Sequence, residues 1–333
     1  MTTLDVLPYD ILCEILLWLD NESWQDVSFV SKSLRLAAIP LIFRKIRIEK
    51  WYYGAAPNTR EMVEVILSNE AIAGSIRVLD IGLQGILNDP FQTRQYTLPA
   101  SIARLLISLP LLTCLMLNLP AQYAEPLFGE FKANAKKLTG LRSLVVPAWT
   151  WASLAQFCPH LQGLLVESQP PWAPEGNVIW FAQQCPNITA FVCFEDISTA
   201  TIRALGEHLP QLEELGLLGT VEEKDIVDYL KDFRVFRKLR ALWLPPIYRL
   251  RMDSYSFTYG TLNPKPTERR LMSAIESSLI AKGGPNVNMV TLGCSSRVVI
   301  YRRTPGMPFK LDRKLDIDGP YRGEMLEPRH RRF

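Results

Sequence analysis

Histidine is scarce in this chain of 333 residues: there are three, at positions 160, 208 and 330. Acid–base or zinc chemistry has little to draw on, and no HExxH, GxSxG, GxxxxGK[ST] or Cys/His spacing suited to zinc occurs. His160 and His208 lie beside prolines and read as polar turn residues, whereas His330 is near the C-terminus. CxxC pairs are missing as well. The six cysteines sit mostly among apolar neighbours, which suits reduced core thiols and a reducing compartment, cytoplasmic or nuclear. An excess of one charge is also lacking, because 37 Lys and Arg against 34 Asp and Glu leave only +3, too little to argue for nucleic acid. The most apolar later stretch, 109–121, is short and interrupted by Pro110, Asn118 and Pro120, so no membrane span is expected. The opening Met1-Thr2-Thr3-Leu4-Asp5 has no basic run, so no signal peptide is expected. Asp316-x-Asp318-Gly319 fails as a calcium loop, since Lys314 and Met325 stand where its first and last ligands belong. These features predict a soluble protein without metal or cofactor, one that works by binding.

What the chain has is a dense apolar pattern at its start. Pro8 suits a first helical position, and Ile11, Leu12, Ile15, Leu16 and Leu19 recur at helical spacing behind it. Ser23 can cap a second short helix carrying Trp24, Val27 and Val30. A third segment around 34–38 is expected to stop near Pro40. Three short helices with more apolar residues than they can bury alone call for a partner.

Leu7-Pro8-x-Asp10-Ile11-Leu12 with Ile15, Leu16 and Leu19, then Val30-Ser31-Lys32-x-Leu34-Arg35, then Pro40-Leu41-Ile42-Phe43-Arg44-Lys45, resembles the F-box. Asp10 stands where that family more often has Glu, and Phe43 where it often has Trp. The resemblance implies docking onto a Skp-type adaptor of a cullin-RING ubiquitin ligase. Carried over residue by residue, it implies contacts from Leu7, Pro8, Ile11, Ile15, Leu16, Leu19, Val30, Leu34 and Phe43. Some of these must instead form the centre of the helical unit.

Beyond residue 48 one pattern returns eight times: an apolar residue, two variable ones, an apolar residue, one variable and another apolar. It begins at Ile76, Leu112, Leu141, Leu161, Ile188, Leu212, Leu239 and Val287, with spacings of 36, 29, 20, 27, 24, 27 and 48. The last two apolar positions of each copy are two apart and share one side of a strand, so stacked copies can bury a common core that one copy could not. Pro110, Pro159, Pro186, Pro210 and Pro285 each stand two residues before a copy and are expected to close outer helices, read at 59–67, 98–109, 151–158, 199–209, 222–233 and 267–280. A generic α/β domain is the alternative. Together with the first segment, this pattern resembles the F-box and leucine-rich-repeat family of substrate receptors. The expected fold is α/β: a three-helix F-box (1–48), an irregular leucine-rich-repeat solenoid with inner parallel strands and outer helices (49–300), and a basic tail (301–333).

The resemblance implies a noncatalytic substrate receptor that binds the adaptor, through it cullin and RING subunits, and an unidentified protein client. The alternative is a scaffold that binds the adaptor without promoting ubiquitination. In the repeat register, the variable positions Met116, Val145, Leu165, Val192 and Trp243, with Phe194 and Leu218 beside them, form an apolar stripe on the concave face. Two readings stay open: a client-docking surface, or a face covered by the chain's own C-terminal segment through Met307, Phe309, Leu311, Leu315 and Ile317. Two further segments suit interaction: 245–266, rich in Tyr and Arg, and the tail, where ten Lys and Arg meet five Asp and Glu from residue 297 onward. Trp149, Trp151 and Trp172 read as core wedges before client anchors.

Overall fold

The structure is a computed structural model that describes residues 4, 7–50, 55–83, 97–167, 176–193, 198–217, 230–244, 272–280, 284–294, 297–304, 307 and 309–316. Its contacts divide the chain into two compact units, Met1–Leu144 with Phe157–His160, and Val145–Gln156 with Leu161–Phe333.

The first unit opens with three helices, α1 (Tyr9–Leu17), α2 (Asn21–Ser28) and α3 (Lys32–Ile42). Pro8 is the residue before α1, extended at ψ 147°, and its carbonyl accepts the first helical bond from Leu12 N–H at 3.1 Å. The cap of α2 is Asp20 rather than Ser23, because its carboxylate accepts from Ser23 N–H at 2.8 Å. Ser31 caps α3 by accepting from Leu34 N–H at 3.2 Å. Pro40 does not end that helix: it stands in the last turn, where only one backbone bond is forgone, and the helix runs on to Ile42. Leu12, Leu16, Leu34, Ala37 and Ala38 form the centre.

Two residues after α3 the chain enters β1 (Lys45–Lys50), a strand the repeat pattern did not anticipate, so the boundary expected at 48 falls inside it. β1 pairs in parallel with β2 (Val78–Leu83), and β2 with β3 (Cys114–Asn118). Between them lie α4 (Ala55–Leu67), α5 (Glu70–Ala73) and α6 (Thr97–Ser108), and α7 (Ala124–Ala133) follows. β4 (Ser143–Val146) falls where the two units divide.

The second unit contains α8 (Trp149–Ala152), α9 (Gly176–Gln184), α10 (Thr199–His208), and the strands β5 (Gly163–Val166), β6 (Ala190–Cys193), β7 (Glu214–Leu217), β8 (Ala241–Leu244) and β9 (Met289–Cys294), parallel in chain order. Each of the eight expected strand sites therefore carries a strand, β2 to β9. Helices end two residues before Pro110, Pro186 and Pro210, as the missing N–H of proline requires.

One backbone device recurs at the strand starts. In the first unit Arg44 O accepts Arg77 N–H (2.9 Å) and Val78 N–H (3.0 Å), and Arg77 O accepts Thr113 N–H (2.9 Å) and Cys114 N–H (3.0 Å). In the second unit Gln162, Thr189, Glu213 and Arg240 each use one carbonyl in the same way for the strand that follows. A shared carbonyl satisfies two donors at a point where the chain turns inward, and so sets the register of each copy on the last.

Beyond β9 the sheet turns antiparallel. β10 (Arg297–Arg302) pairs with β9, and β11 (Lys310–Asp316) with β10. The expected boundary at 300/301 thus falls inside β10, and the start of the expected tail is a strand. Leu311 and Leu315 sit in the ladder opposite Tyr301 and Val298, so 310–316 extends the sheet beside β10 rather than crossing the expected stripe; Ile317 is outside the described residues. Phe309 N–H donates to Glu276 Oε1 (3.0 Å), which fastens this hairpin to the π-helical turn Ile275–Ile280, while within the hairpin's own connection the Arg303 guanidinium stands 5.6 Å over the Phe309 ring.

Candidate functional site

α1 carries an apolar face too wide for its neighbours to cover. Successive residues turn by about 100°, so Leu12 and Leu16 lie close together on the side facing α3, with Ile11, Ile15 and Trp18 grouped within about 60° of one another beside them. Burial divides that face in two: Leu16 is 1% exposed, whereas Ile11 is 47% and Ile15 37% exposed. Pro8 is exposed at the head of the same stripe. The open half is held rigidly, because Trp24 Nε1–H donates to Leu16 O (2.6 Å) and Arg35 Nε–H donates to Ser28 O (3.0 Å), binding the three helices end to side. The hydroxyl and backbone N–H of Ser23 bond the Asp20 carboxyl and hold it below the ordinary carboxylate range, so it caps α2 as an anion.

Residues 4–44 match the F-box domain. The match covers the three helices and ends at the residue before β1. No curated protein matches the chain. An F-box implies binding to a Skp-type adaptor in the setting of a ubiquitin ligase, and the open half of α1 is a surface suited to that use.

The expected adaptor contacts separate by burial. Pro8, Ile11, Ile15 and Val30 are exposed on the F-box surface, Val30 at 71%. Leu7, Leu19 and Phe43 are half-buried, the first two packing on the helical core. Leu16 and Leu34 are core residues and cannot meet a partner directly; each occupies the side of its helix that faces the other helices. Reading from the sequence missed the exposed Tyr9, Leu17, Trp18, Phe29 and Leu36. Trp18 could have been found, since it follows Ile11 by seven and Ile15 by three.

The apolar stripe expected to hold a client is corrected. Met116, Val145, Leu165, Val192 and Trp243 are all buried, while Phe194 and Leu218 lie outside the described residues. In the second unit the strand registers set Leu165, Val192, Gly216, Trp243 and Thr291 side by side. Val192 and Trp243 close over the glycine between them: a Cβ on Gly216 would lie 2.8 Å from Val192 Cγ1 and 3.1 Å from Trp243 Cβ. Trp243 also packs with Ala241, Met289 and Ile300. This row is core packing, not an open surface. Trp149 is core as well, its ring centroid 6.4 Å from that of Phe181 and 6.2 Å from that of Phe191, and Trp151 is fully buried. Trp172 and 245–266 lie outside the described residues.

Among the described residues no group of three or more His, Cys, Asp and Glu could hold a metal ion, and no helix is long and apolar enough to cross a membrane. His160 is exposed; its carbonyl accepts from Arg142 Nη1 at 3.1 Å. His208 Nε2 is 3.5 Å from Gln183 Nε2.

Proposed function

We propose that this chain is a noncatalytic substrate-recognition subunit of a cullin-RING ubiquitin ligase. Its F-box docks onto a Skp-type adaptor, and through it onto cullin and RING subunits, by the exposed stripe of Pro8, Ile11 and Ile15. The region after it is an irregular leucine-rich-repeat solenoid that holds a protein client, a reading supported by the eight strands at the expected sites and the shared carbonyl that begins successive copies. Ubiquitin transfer would be accelerated by holding client and conjugating enzyme together, with no nucleophile supplied by this chain. Cytoplasm and nucleus, where such an assembly works, are the proposed locations.

The observation that carries the reading is the exposure of Ile11 and Ile15 within a matched F-box whose core is otherwise closed. Ile15→Asp places a charge in that interface and leaves the core untouched. The variant should lose adaptor, and with it cullin, in pull-downs from cells while keeping its helical content; full retention of adaptor would refute the reading.

The burial of the expected client stripe favours a second reading, a scaffold that binds the adaptor without delivering a client. Recovery of cullin together with proteins that accumulate when this chain is depleted supports the receptor; adaptor without cullin supports the scaffold.

A further inference from the structure

We propose that Trp18 is a specificity-determining contact for the same adaptor, extending the F-box stripe by a further turn; this rests on the adaptor-docking reading above. Trp18 is 88% exposed, more than any other large apolar residue among those described. It directly follows the last residue of α1 but keeps helical backbone angles (φ −86°, ψ −8°), its N–H bonds to Ile15 O at 3.2 Å, and the N–H of the next residue, Leu19, bonds to Leu16 O. Its side chain therefore leaves the helix on the same side as Ile11 and Ile15, about 10 Å along the axis from Ile11. An indole at that place has no stabilising role inside the unit, because the core below it is made by Leu12, Leu16 and Leu34. It adds a large, flat apolar face to one end of a stripe whose other members the F-box already commits to the adaptor. Tryptophan is the residue type most enriched among energetically dominant interface contacts, since it removes much apolar area from water while losing few rotamers. The adaptor, and not a separate protein, is the occupant because Trp18 is continuous with Ile15, and a partner seated on one must cover the other.

Titration calorimetry of the purified full chain with a Skp-type adaptor tests this. Trp18→Ala should weaken affinity about thirtyfold, Trp18→Phe should restore part of the loss, and the circular dichroism of both should match the parent. Acrylamide quenching gives a second reading: the emission lost in Trp18→Phe should be quencher-accessible in the free chain and shielded in the complex. If Trp18→Ala binds as the parent does while Ile15→Asp does not bind, the inference falls and the F-box reading stands. If Ile15→Asp also binds normally, both fall. Shielding of Trp18 in the chain alone that grows with its concentration would assign the residue to self-association and overturn the proposal.

Discussion

The indole N–H of Trp24 donates to the main-chain oxygen of Leu16 across 2.6 Å. Leu16 O also accepts Leu19 N–H at 3.1 Å, so the turn leaving α1 and the side of α2 are fixed by one carbonyl at the helix end, where such groups lack helical partners. Trp24→Phe keeps most of the ring's packing and removes the donor. The expected loss is about 1 kcal/mol of stability in the F-box, measured as faster hydrogen exchange of the amides of α1 to α3. Adaptor affinity per folded molecule should not change, because the open side of α1 is untouched.

Leu16 and Ile15 are neighbours in sequence and opposites in role. Leu16→Ala empties a site in the helical centre and should cost about 2 to 5 kcal/mol, seen as loss of exchange protection throughout the three helices. Ile15→Ala should alter stability by roughly 0.5 kcal/mol or less, since the side chain is already partly in water, yet should reduce adaptor binding. A stability loss at Ile15 as large as that at Leu16 would place it in the core and remove it from the docking stripe.

Gly216 is a position where the register itself demands glycine. Its neighbours in the ladder are Val192 and Trp243, and a methyl group would meet Val192 Cγ1 at 2.8 Å. Gly216→Ala should destabilise by about 1 to 3 kcal/mol through overpacking. Val192→Ala, itself a cavity mutation, should recover part of that loss when the two are combined, giving a favourable coupling in a double-mutant cycle followed by urea unfolding. Strict additivity would show that the strain is relieved elsewhere.

The F-box was readable because two signals agree there: helical spacing from Ile11 to Leu19, and a motif running through Arg44. Spacing shows that Ile11, Leu12, Ile15 and Leu16 share one face, but not which half of that face another helix covers; this depends on where α3 crosses, and Ala37 and Ala38 admit it only over Leu12 and Leu16. The strands β2 to β9 were readable for a similar reason, since paired inward residues such as Leu215 and Leu217 are apolar in nearly every copy. β1 escaped notice because Lys45-Ile46-Arg47-Ile48 offers only two apolar residues between charges, and its partner arrives some thirty residues later. The expected client stripe was not legible for a different reason. Standing between inward residues puts Val192 and Trp243 on the opposite side of the strands, but that pattern alone does not say whether this side is open to a client or covered, and parallel neighbours at strand spacing bury one another, most of all across a glycine. Composition was equally misleading at the C-terminal end, where the charged Lys310-Leu311-Asp312-Arg313 read as tail and is an edge strand, a place where charge discourages pairing with other chains.

Cys185 links the packing of the second unit to pH. It stands directly after α9, its N–H bonded to Phe181 O at 3.1 Å and its carbonyl accepting Ile188 N–H at 3.2 Å. Burial pushes its thiol up from 9.0 to about 11, because the thiolate would lose its hydration in these apolar surroundings. Between those two values the folded chain keeps a proton that the unfolded chain releases. The folded state then binds more protons than the unfolded one, so stability is intact below pH 9 and falls as pH rises toward 11. The contribution lost by pH 10 is about 1 kcal/mol. Other groups also titrate in this range, so the comparison must be with Cys185→Ala, which carries a constant cavity cost but no thiol. Urea midpoints measured at pH 8, 9 and 10 should decline more steeply for the parent than for the variant. Iodoacetamide labelling of Cys185 should be slow in the native chain at pH 8 and fast in urea. Parallel pH profiles together with rapid native labelling would mean that this thiol meets water, and that the turn joining α9 to β6 opens in solution.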